Sequence, residues 1–350
     1  MQTIIVLCGG ESSEHEVSLQ SANSILNHIP KDKYQVIPVA INKTGQWVTG
    51  SPLIQNEQDP TNICLAPNLQ PAVFEEGKLN GVKIDAIFPI IHGTYGEDGC
   101  LQGLLQMSHV AYVGPGVLGS AVGMDKDIMK RLLIPAGINC AQHFVIYRWQ
   151  ENRPTYEEVA QELGEILFVK PCNLGSSVGI SKCHNQQEYD QALQFAFQYD
   201  NKLLVEGFIQ GQEIEVAVLG NENPKASIPG EVIPGADFYS YDSKYIDSNA
   251  TKTQIPAQLS SETTQKVQDI AIQSFRLLEL AGLTRVDFFV EKNGKIWLNE
   301  VNTLPGFTSI SMYPKLWEAS GIPYPELIHQ LIQLAIQRHQ TEKELKRNRI

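Results

Sequence analysis

Residues 284–302, TRVDFFVEKNGKIWLNEVN, contain two strand patterns joined by a turn. Strands are predicted at 284–290 and 295–301, and the turn at 292–294 contains Asn-Gly, which is typical of a β-hairpin. Alternate residues of a strand point to the same face, so each strand places two polar side chains on one face. If the strands pair, a single surface carries Arg285, Asp287, Glu300 and Asn302.

The side chains on this surface favour a site for divalent cations and phosphate. Mg²⁺ prefers oxygen ligands and leaves room for phosphate oxygens, whereas a guanidinium can stabilise an oxyanion. Either strand alone would be interpreted as a solvated face with a surface ion pair. The two strands together, followed by the Pro- and Gly-containing bend at 303–309, favour the metal site.

A glycine- and serine-rich segment, VKPCNLGSSVG at 169–179, follows another predicted strand at 166–170. Glycines allow a backbone to approach phosphate closely, and Lys170 can reach a phosphate as a point charge. The segment lacks the GxxxxGK[ST] pattern of a P-loop and is predicted to return directly into a strand at 178–180. It is therefore interpreted as a flap over a nucleotide, with an ordinary hairpin turn as the alternative.

Two further motifs follow predicted strands in the first third of the chain. The segment GGESSEHEVS at 9–18 lacks GxGxxG, and its glutamates suit a cationic amino group better than a pyrophosphate. Glu16 also fits the structural role of an acid near a helix N-terminus. In IHGTYGEDG at 91–99, His92 can donate to a carboxylate, although a lone histidine is more often a packed, hydrogen-bonded residue.

A polar loop with the sequence DFYSYDSKY at 237–245 interrupts the pattern of strands and helices. Long loops in compact domains are often lids. Lys244 can neutralise a transferring phosphate, and the Tyr245 hydroxyl can donate a hydrogen bond. The alternative is an exposed loop with aromatic anchors.

Strand and helix signals alternate in the first third of the chain, which predicts an open parallel sheet with helices on its faces. Strands are predicted near 3–7, 34–41 and 84–91 and a helix at 17–29, with a long excursion of weak short strands at 44–81. The rest of the chain is predicted to contain mixed α/β units. Their predicted helices are at 125–133, 155–163, 187–197, 260–281, 312–319 and 324–338, and their other strands are at 144–147, 202–206 and 213–219.

The composition is that of a globular protein and excludes several classes. The formal net charge of −12 over 350 residues disfavours nucleic acid as a partner, because phosphate contacts need clustered Lys and Arg. The six cysteines include no CxxC pair, which disfavours a zinc site and fits a reducing cytoplasm. The short apolar run at the N-terminus is predicted to be a strand and not a signal peptide, and no window approaches a membrane span.

Taken together, these motifs closely resemble the D-alanine–D-alanine ligases of the ATP-grasp superfamily. The metal stretch and the GSSVG flap are typical of ATP-grasp ligases in general, whereas EHEVS, HGTYGEDG and SKY are specific to this family. The matching stretches follow the family order from residue 9 to residue 312: GGESSEHEVSLQS, HGTYGEDG, MDK, VKPCNLGSSVGI, EGFIQGQEIEVAVLG, YSYDSKY, TRVDFF and NEVNTLPGFTSISM.

The resemblance implies an α/β fold, α+β in part, with three domains: an N-terminal open parallel α/β domain at 1–120, a central ATP-grasp subdomain at 121–210, and a C-terminal one at 211–345. It implies ATP and two Mg²⁺ (or Mn²⁺) ions as cofactors, D-alanine as the small-molecule substrate, a homodimer, and no nucleic-acid or membrane partner. The implied nucleotide contacts are Lys126, Lys170, Ser177, Glu206, Ile209, Glu213 and Lys244, and the implied metal ligands are Asp287, Glu300 and Asn302.

The resemblance also implies the substrate and catalytic residues. Glu14 would bind the amino group of the first D-alanine, with His92 near its carboxylate, and Arg285 with the Gly306 N–H would form the oxyanion site. The implied contacts to the second D-alanine are Ser309, Ser311 and Met312, and the implied hydrogen-bond network that closes the lid is Glu14, Ser176 and Tyr245.

The implied reaction is ATP-dependent formation of D-alanyl-D-alanine for peptidoglycan through an acyl phosphate. Two alternatives stay open: a ligase whose second substrate is D-serine or D-lactate, and a nucleotide-binding regulator that has lost catalysis. The regulator requires a missing metal ligand or phosphate-binding lysine, and none is missing. The sequence departs from some relatives at Asn173, Leu174 and Gly207, which affects only the expected contacts with the flap and adenine.

Overall fold

The computed structural model describes residues 1–56, 62–234 and 251–346. The helices in these ranges are α1 (His15–His28), α2 (Cys100–Met107), α3 (Val117–Met124), α4 (Lys126–Leu133), α5 (Tyr156–Leu163), α6 (Gln186–Ala196), α7 (Ser261–Leu277), α8 (Met312–Ala319) and α9 (Tyr324–Lys343), with a 3-10 turn at Ile134–Ala136. Among these described residues, no helix is long and apolar enough to cross a membrane.

The strands of the first half are β1 (Gln2–Gly9), β2 (Tyr34–Ile41), β3 (Trp47–Thr49), β4 (Leu53–Gln55), β5 (Ile63–Leu65), β6 (Gln70–Pro71), β7 (Phe74–Glu75), β8 (Lys78–Leu79), β9 (Val82–Lys83), β10 (Ala86–Pro89), β11 (Ala111–Tyr112), β12 (His143–Tyr147) and β13 (Leu167–Pro171). Those of the second half are β14 (Ser181–Cys183), β15 (Lys202–Gly207), β16 (Gln212–Gly220), β17 (Lys225–Ala226), β18 (Gly230–Pro234), β19 (Thr251–Gln254), β20 (Gly282–Val290) and β21 (Ile296–Asn302).

The N-terminal sheet has the strand order β11-β10-β1-β2-β3-β6. Its four strands from β11 to β2 are parallel, as the alternating pattern predicts, whereas β3 is antiparallel to β2 and β6 is antiparallel to β3. Because β1 and β10 are parallel neighbours, their carboxyl ends lie together. The loops at 9–18 and 91–99 therefore meet at one edge of this sheet.

The central sheet is antiparallel with the order β12-β15-β13-β14, and α6 packs against it. The prediction of a strand at 178–180 is wrong, because these residues lie in turns and the strand begins only at Ser181. The backbone conformation explains the difference. Ser176, Ser177 and Gly179 all have positive φ angles, of 52°, 59° and 73°, so the chain turns repeatedly before it can pair with β13.

The C-terminal sheet contains the order β19-β18-β16-β20-β21 and confirms the predicted hairpin. The register between β20 and β21 shifts after Asp287, so that Asn299 is an extra residue on β21. One face of β20 is polar, whereas Val286 and Phe288 on the other face are buried against α7. The two faces of the sheet thus differ: one packs into the core and the other carries polar side chains.

The sequence did not predict helices α2 and α3, and it placed the end of α7 too late. Gly119 and Gly123 weaken the helical signal of α3, yet both positions need glycine. A Cβ at Gly119 would lie 2.5 Å from Glu279 O, and a Cβ at Gly123 would lie 2.5 Å from the Thr303 side chain. Helix α7 ends at Leu277 because Glu279 turns the chain with a φ of 53°.

Helix α9 returns to the N-terminal sheet and extends five residues beyond the predicted end at 338. Arg338 donates to the carbonyls of Gly114 and Tyr112, and the Tyr34 hydroxyl lies 2.6 Å from His329 Nδ1. The C-terminal end of the chain thus packs on the first sheet. The predicted domain boundaries remain a prediction.

We expect the buried face of the hairpin to be essential for stability. Phe275 of α7 is 1% exposed and belongs to the same core cluster as Val286 and Phe288. Phe275→Ala should lower the free energy of unfolding by about 3–5 kcal/mol, measured by denaturant titration, because it leaves a cavity. Leu277→Ala, on the same helix but 40% exposed, is the control and should cost less than about 0.5 kcal/mol. Equal losses in both variants would contradict this view of the core.

Candidate active site

The polar face of the hairpin has the composition that the sequence predicts. Asp287 is paired with Glu300 across the two strands, and Arg285 is paired with Asn302. Arg285 donates to both oxygens of Asp287 at 2.8 and 2.7 Å, and the Asn302 amide donates to Asp287 Oδ2 at 2.9 Å. Arg285, Asp287 and Asn302 therefore form one hydrogen-bond network, and Glu300 lies opposite Asp287 on the same face.

A third carboxylate on this face was not predicted. Glu215 of β16 is directly opposite Asp287, and its Oε2 lies 3.0 Å from Arg285 Nε. Burial alone would lower the pKa of Arg285, but Asp287 and Glu215 raise it well above its ordinary value. The alternation in Glu213-Ile214-Glu215 was the available signal, because it places both glutamates on the face that Asp287 occupies.

The donor set at the hairpin fits a hard divalent cation that also binds phosphate. Two carboxylates and one amide supply oxygen atoms, which is too few for a complete coordination shell and leaves positions for phosphate oxygens. Across the described ranges, no three His, Cys, Asp or Glu side chains come close enough to hold a metal by themselves. A cation at Asp287 must compete with Arg285 for the same oxygens.

The two lysines predicted to bind phosphate both lie at this cleft. Lys126 donates to the Leu174 carbonyl of the flap at 2.6 Å and lies 3.6 Å from Glu300 Oε2. Lys170 instead forms an ion pair with Glu206, the predicted adenine contact. Each lysine is thus paired with a carboxylate that is itself a predicted ligand residue.

A cavity of about 160 Å³ lies between the central and C-terminal sheets. It adjoins a wider, open cleft of about 1430 Å³, and the two share Ile209 and Glu213 in their linings. The predicted nucleotide and metal contacts that line the smaller cavity are Lys170, Ser177, Glu206, Ile209, Glu213, Asp287 and Glu300. Residues from three distant parts of the sequence therefore surround one space.

The flap contacts the N-terminal loop through Ser176, whose hydroxyl donates to Glu14 Oε1. Glu14 is buried, and a side chain at Gly93 would lie 2.8 Å from its other oxygen. Two of the three members of the predicted Glu14, Ser176 and Tyr245 network are therefore in contact. Tyr245 and Lys244 lie outside the described residues.

His92, next to Gly93 in the same loop, is also buried. Its Nδ1 lies 3.1 Å from the Leu304 carbonyl and its Nε2 lies 3.2 Å from the Ser21 hydroxyl. Burial lowers its pKa to about 4, so the ring is neutral near pH 7. Glu97 is a further residue that was not predicted. It accepts from the Gly93 N–H at 2.7 Å, and burial together with the Glu14 charge raises its pKa.

The bend after β21 carries the residues predicted to contact the second substrate. A Cβ at Gly306 would lie 2.8 Å from Ser311 Oγ, so glycine lets the backbone approach this hydroxyl. Ser309 is exposed, and Ser311 is the N-cap of α8. The Met312 side chain is buried in the core, which leaves its backbone N–H, in the first turn of α8, as the group available for a carboxylate.

Comparisons with known proteins agree with this geometry. Residues 3–115 match the family model described as "D-ala D-ala ligase N-terminus", and residues 132–333 match "D-ala D-ala ligase C-terminus". The D-alanine–D-alanine ligase of Oceanobacillus iheyensis is 48% identical over 98% of this chain and 98% of its own length.

Solved structures show the same similarity. The D-alanine–D-alanine ligase from Coxiella burnetii has a TM-score of 0.85 and 39% identity, covering 98% of both chains. The VanG D-Ala:D-Ser ligase from Enterococcus faecalis has a TM-score of 0.81 and 33% identity, covering 95% of this chain and 99% of that one. The fold is thus the ATP-grasp fold expected from the sequence, and the chain belongs to the D-alanine–D-alanine ligase family.

Proposed function

We propose a role for each site residue in the reaction of this family. The chain is an ATP-dependent ligase that joins two D-alanine molecules into D-alanyl-D-alanine for peptidoglycan, releasing ADP and phosphate. The observation that supports the assignment of residues is the single polar face on which Asp287 and Glu300 are paired across β20 and β21. Mg²⁺ held by this face would neutralise phosphate charge during transfer.

In the first half of the reaction, a carboxylate must become a better electrophile. Glu14 binds the ammonium of the first D-alanine, which suits a buried carboxylate that the Ser176 hydroxyl already orients. Lys126 and Lys170 exchange their carboxylate partners for phosphate oxygens of ATP, and Lys244 is assigned to the γ-phosphate. The D-alanine carboxylate then attacks that phosphorus, forming an acyl phosphate and ADP.

In the second half, the neutral amine of the second D-alanine attacks the acyl carbon, the acyl C–O bond breaks, and phosphate leaves as the nitrogen loses a proton. Ser311 and the Met312 N–H bind the carboxylate of this substrate, with Ser309 alongside. Arg285 and the Gly306 N–H stabilise the oxyanion. Losing one such donor typically costs roughly 3–4 kcal/mol of barrier. The closed flap excludes water, which would otherwise hydrolyse the acyl phosphate.

His92 acts in this scheme as a neutral positioning residue near the first substrate, because its single ring N–H, on Nδ1, donates to the Leu304 carbonyl, its Nε2 accepts from the Ser21 hydroxyl, and its pKa is low. Asn302 completes the metal ligands, and Ser177, Ile209 and Glu213 complete the nucleotide contacts. D-alanine is proposed as the second substrate rather than D-serine, because the D-alanine–D-alanine ligase relative is 48% identical and the D-Ala:D-Ser ligase structure only 33%.

We also propose a homodimer that works in the cytoplasm. Met107 of α2 is 83% exposed and Leu118 of α3 is 62% exposed, and these two helices pack against each other. The same two helices also expose Leu104 and Val117, and a contiguous apolar patch marks a protein interface. The free cysteines among the described residues, together with the use of ATP, support a cytoplasmic location.

The fate of the carboxylate oxygens tests the reaction. With ATP, Mg²⁺ and D-alanine labelled with ¹⁸O in its carboxylate, one labelled oxygen should appear in the released phosphate for each dipeptide, because acyl phosphate formation transfers it. Mass spectrometry of the phosphate and chromatography of the dipeptide give the result, with L-alanine as the control. Phosphate release with L-alanine alone, or dipeptide formed with unlabelled phosphate, would contradict the proposal.

Replacing one metal ligand tests the hairpin assignment. Glu300→Gln removes one charged oxygen from the proposed cation site, so Mn²⁺ binding in the presence of ADP, measured by paramagnetic resonance, should weaken and turnover should fall at least about 100-fold. Glu262→Gln, at an exposed glutamate on α7, is the matched control. Unchanged circular dichroism establishes the fold. Near-normal metal binding and turnover would show that Glu300 is not a ligand.

The oligomer is tested with Met107→Glu. A buried charge at the interface should shift the protein from dimer to monomer in sedimentation equilibrium at micromolar concentration. Trp149→Glu, at another exposed apolar residue on the central unit, should leave the dimer intact. A monomeric parent protein, or equal dissociation of both variants, would refute this interface.

A further inference from the structure

A buried lysine that no step of the reaction uses lies beneath the nucleotide cavity. Lys130 of α4 is 1% exposed, and its ammonium lies 2.5 Å from Glu206 Oε1. The other oxygen of Glu206 is paired with Lys170. Burying an ammonium is costly unless it is paired with an opposite charge, so this position needs an explanation beyond packing.

The two lysines differ in what they can reach. Lys170 and Glu206 both line the cavity, whereas Lys130 does not. Lys130 therefore contacts the carboxylate from behind, on the side away from the ligand. The N-terminus of its helix is fixed, because Asp125 accepts from the Asp127 and Ile128 N–H groups and also pairs with Lys202 at 2.9 Å. A rigid helix thus holds the Lys130 side chain in place.

We propose that Lys130 is a positioning residue that keeps Glu206 charged and correctly placed, and that it thereby makes the site selective for a purine with an amino group at position 6. This inference rests on the proposed function, which assigns Glu206 to the adenine. Lys130 itself touches neither the base nor the phosphates.

The selectivity follows from the charges. When Lys170 turns to the phosphates of ATP, Lys130 is the cation that remains at Glu206. Burial raises the pKa of Glu206, but Lys130 and Lys170 together lower it to about 2. An ionised carboxylate can only accept hydrogen bonds, so it binds the exocyclic amino group of adenine. A purine with a carbonyl oxygen at that position is rejected, because neither this oxygen nor the Glu206 carboxylate can donate a hydrogen bond.

Inosine triphosphate is the informative probe, because its base differs from adenine only at position 6 and the adjoining ring nitrogen. Calorimetric binding of ATP and of inosine triphosphate, with Mg²⁺ and without D-alanine, gives the ratio of the two dissociation constants independently of turnover. In Lys130→Met this ratio should move toward one by at least about tenfold, which corresponds to about 1.4 kcal/mol. Lys130→Arg keeps the charge and should retain the preference for ATP.

Arg131→Met is the matched control, since it removes a cation from the next position of the same helix but one that is exposed and paired with Asp127. It should leave the ratio unchanged. If Lys130→Met weakens both nucleotides equally, Lys130 is only structural and the inference fails. If Lys130→Met does not fold, loss of the ATP preference in Lys130→Arg would overturn the inference and its retention would support it.

Glu206→Gln separates this inference from the proposed function. An amide can either accept or donate, so this variant should lose the preference for ATP to the same extent as Lys130→Met. The double variant with both Lys130→Met and Glu206→Gln should have the same ratio of dissociation constants as either single variant, because both changes act on one contact. A normal ratio in Glu206→Gln would instead remove Glu206 from the adenine and overturn that part of the proposed function.

Discussion

The pairing of Asp287 with Glu300 across β20 and β21 is the constraint on which the site depends. Two carboxylates on neighbouring strands repel each other, and the chain tolerates them because Arg285 neutralises Asp287 and Lys126 approaches Glu300. The opposite face of the hairpin is buried against α7, so the strands cannot rotate to separate the charges. Burial of the apolar face thus holds the acidic groups in place on the polar face.

The same principle applies to the rest of the cleft, where charged side chains form ion pairs with one another. Lys170 is paired with Glu206, and Arg285 bridges Glu215 and Asp287. A buried charge without a partner is costly, so the charged side chains of the cleft are paired with one another. In the proposed reaction, ligand binding is an exchange of partners, in which phosphate would replace carboxylate at the lysines and a cation would replace the guanidinium at the acids.

The parts of the site that could be predicted have local signals. The alternation of polar side chains in the hairpin predicted its face, and the resemblance predicted the contact between Ser176 and Glu14. Lys130 could not be predicted, because a lysine on an amphipathic helix ordinarily points to solvent and only the position of β15 shows that it points inward. The strand expected at 178–180 failed because left-handed turns in the flap override its apolar pattern.

The sequence by itself determined the chemistry: which oxygens, cations and glycines are present, and in what order along the chain. Periodicity determined which of them share a strand face, because alternation is a property of the backbone alone. Only the tertiary structure decided which charges are paired, how the flap reaches Glu14, and that the glycines of α3 allow close packing against the turn after α7 and against Thr303. The contact between Ser176 and Glu14 and the close packing of the α3 glycines join residues more than 100 positions apart, and such contacts are set by the packing of whole elements rather than by any local pattern.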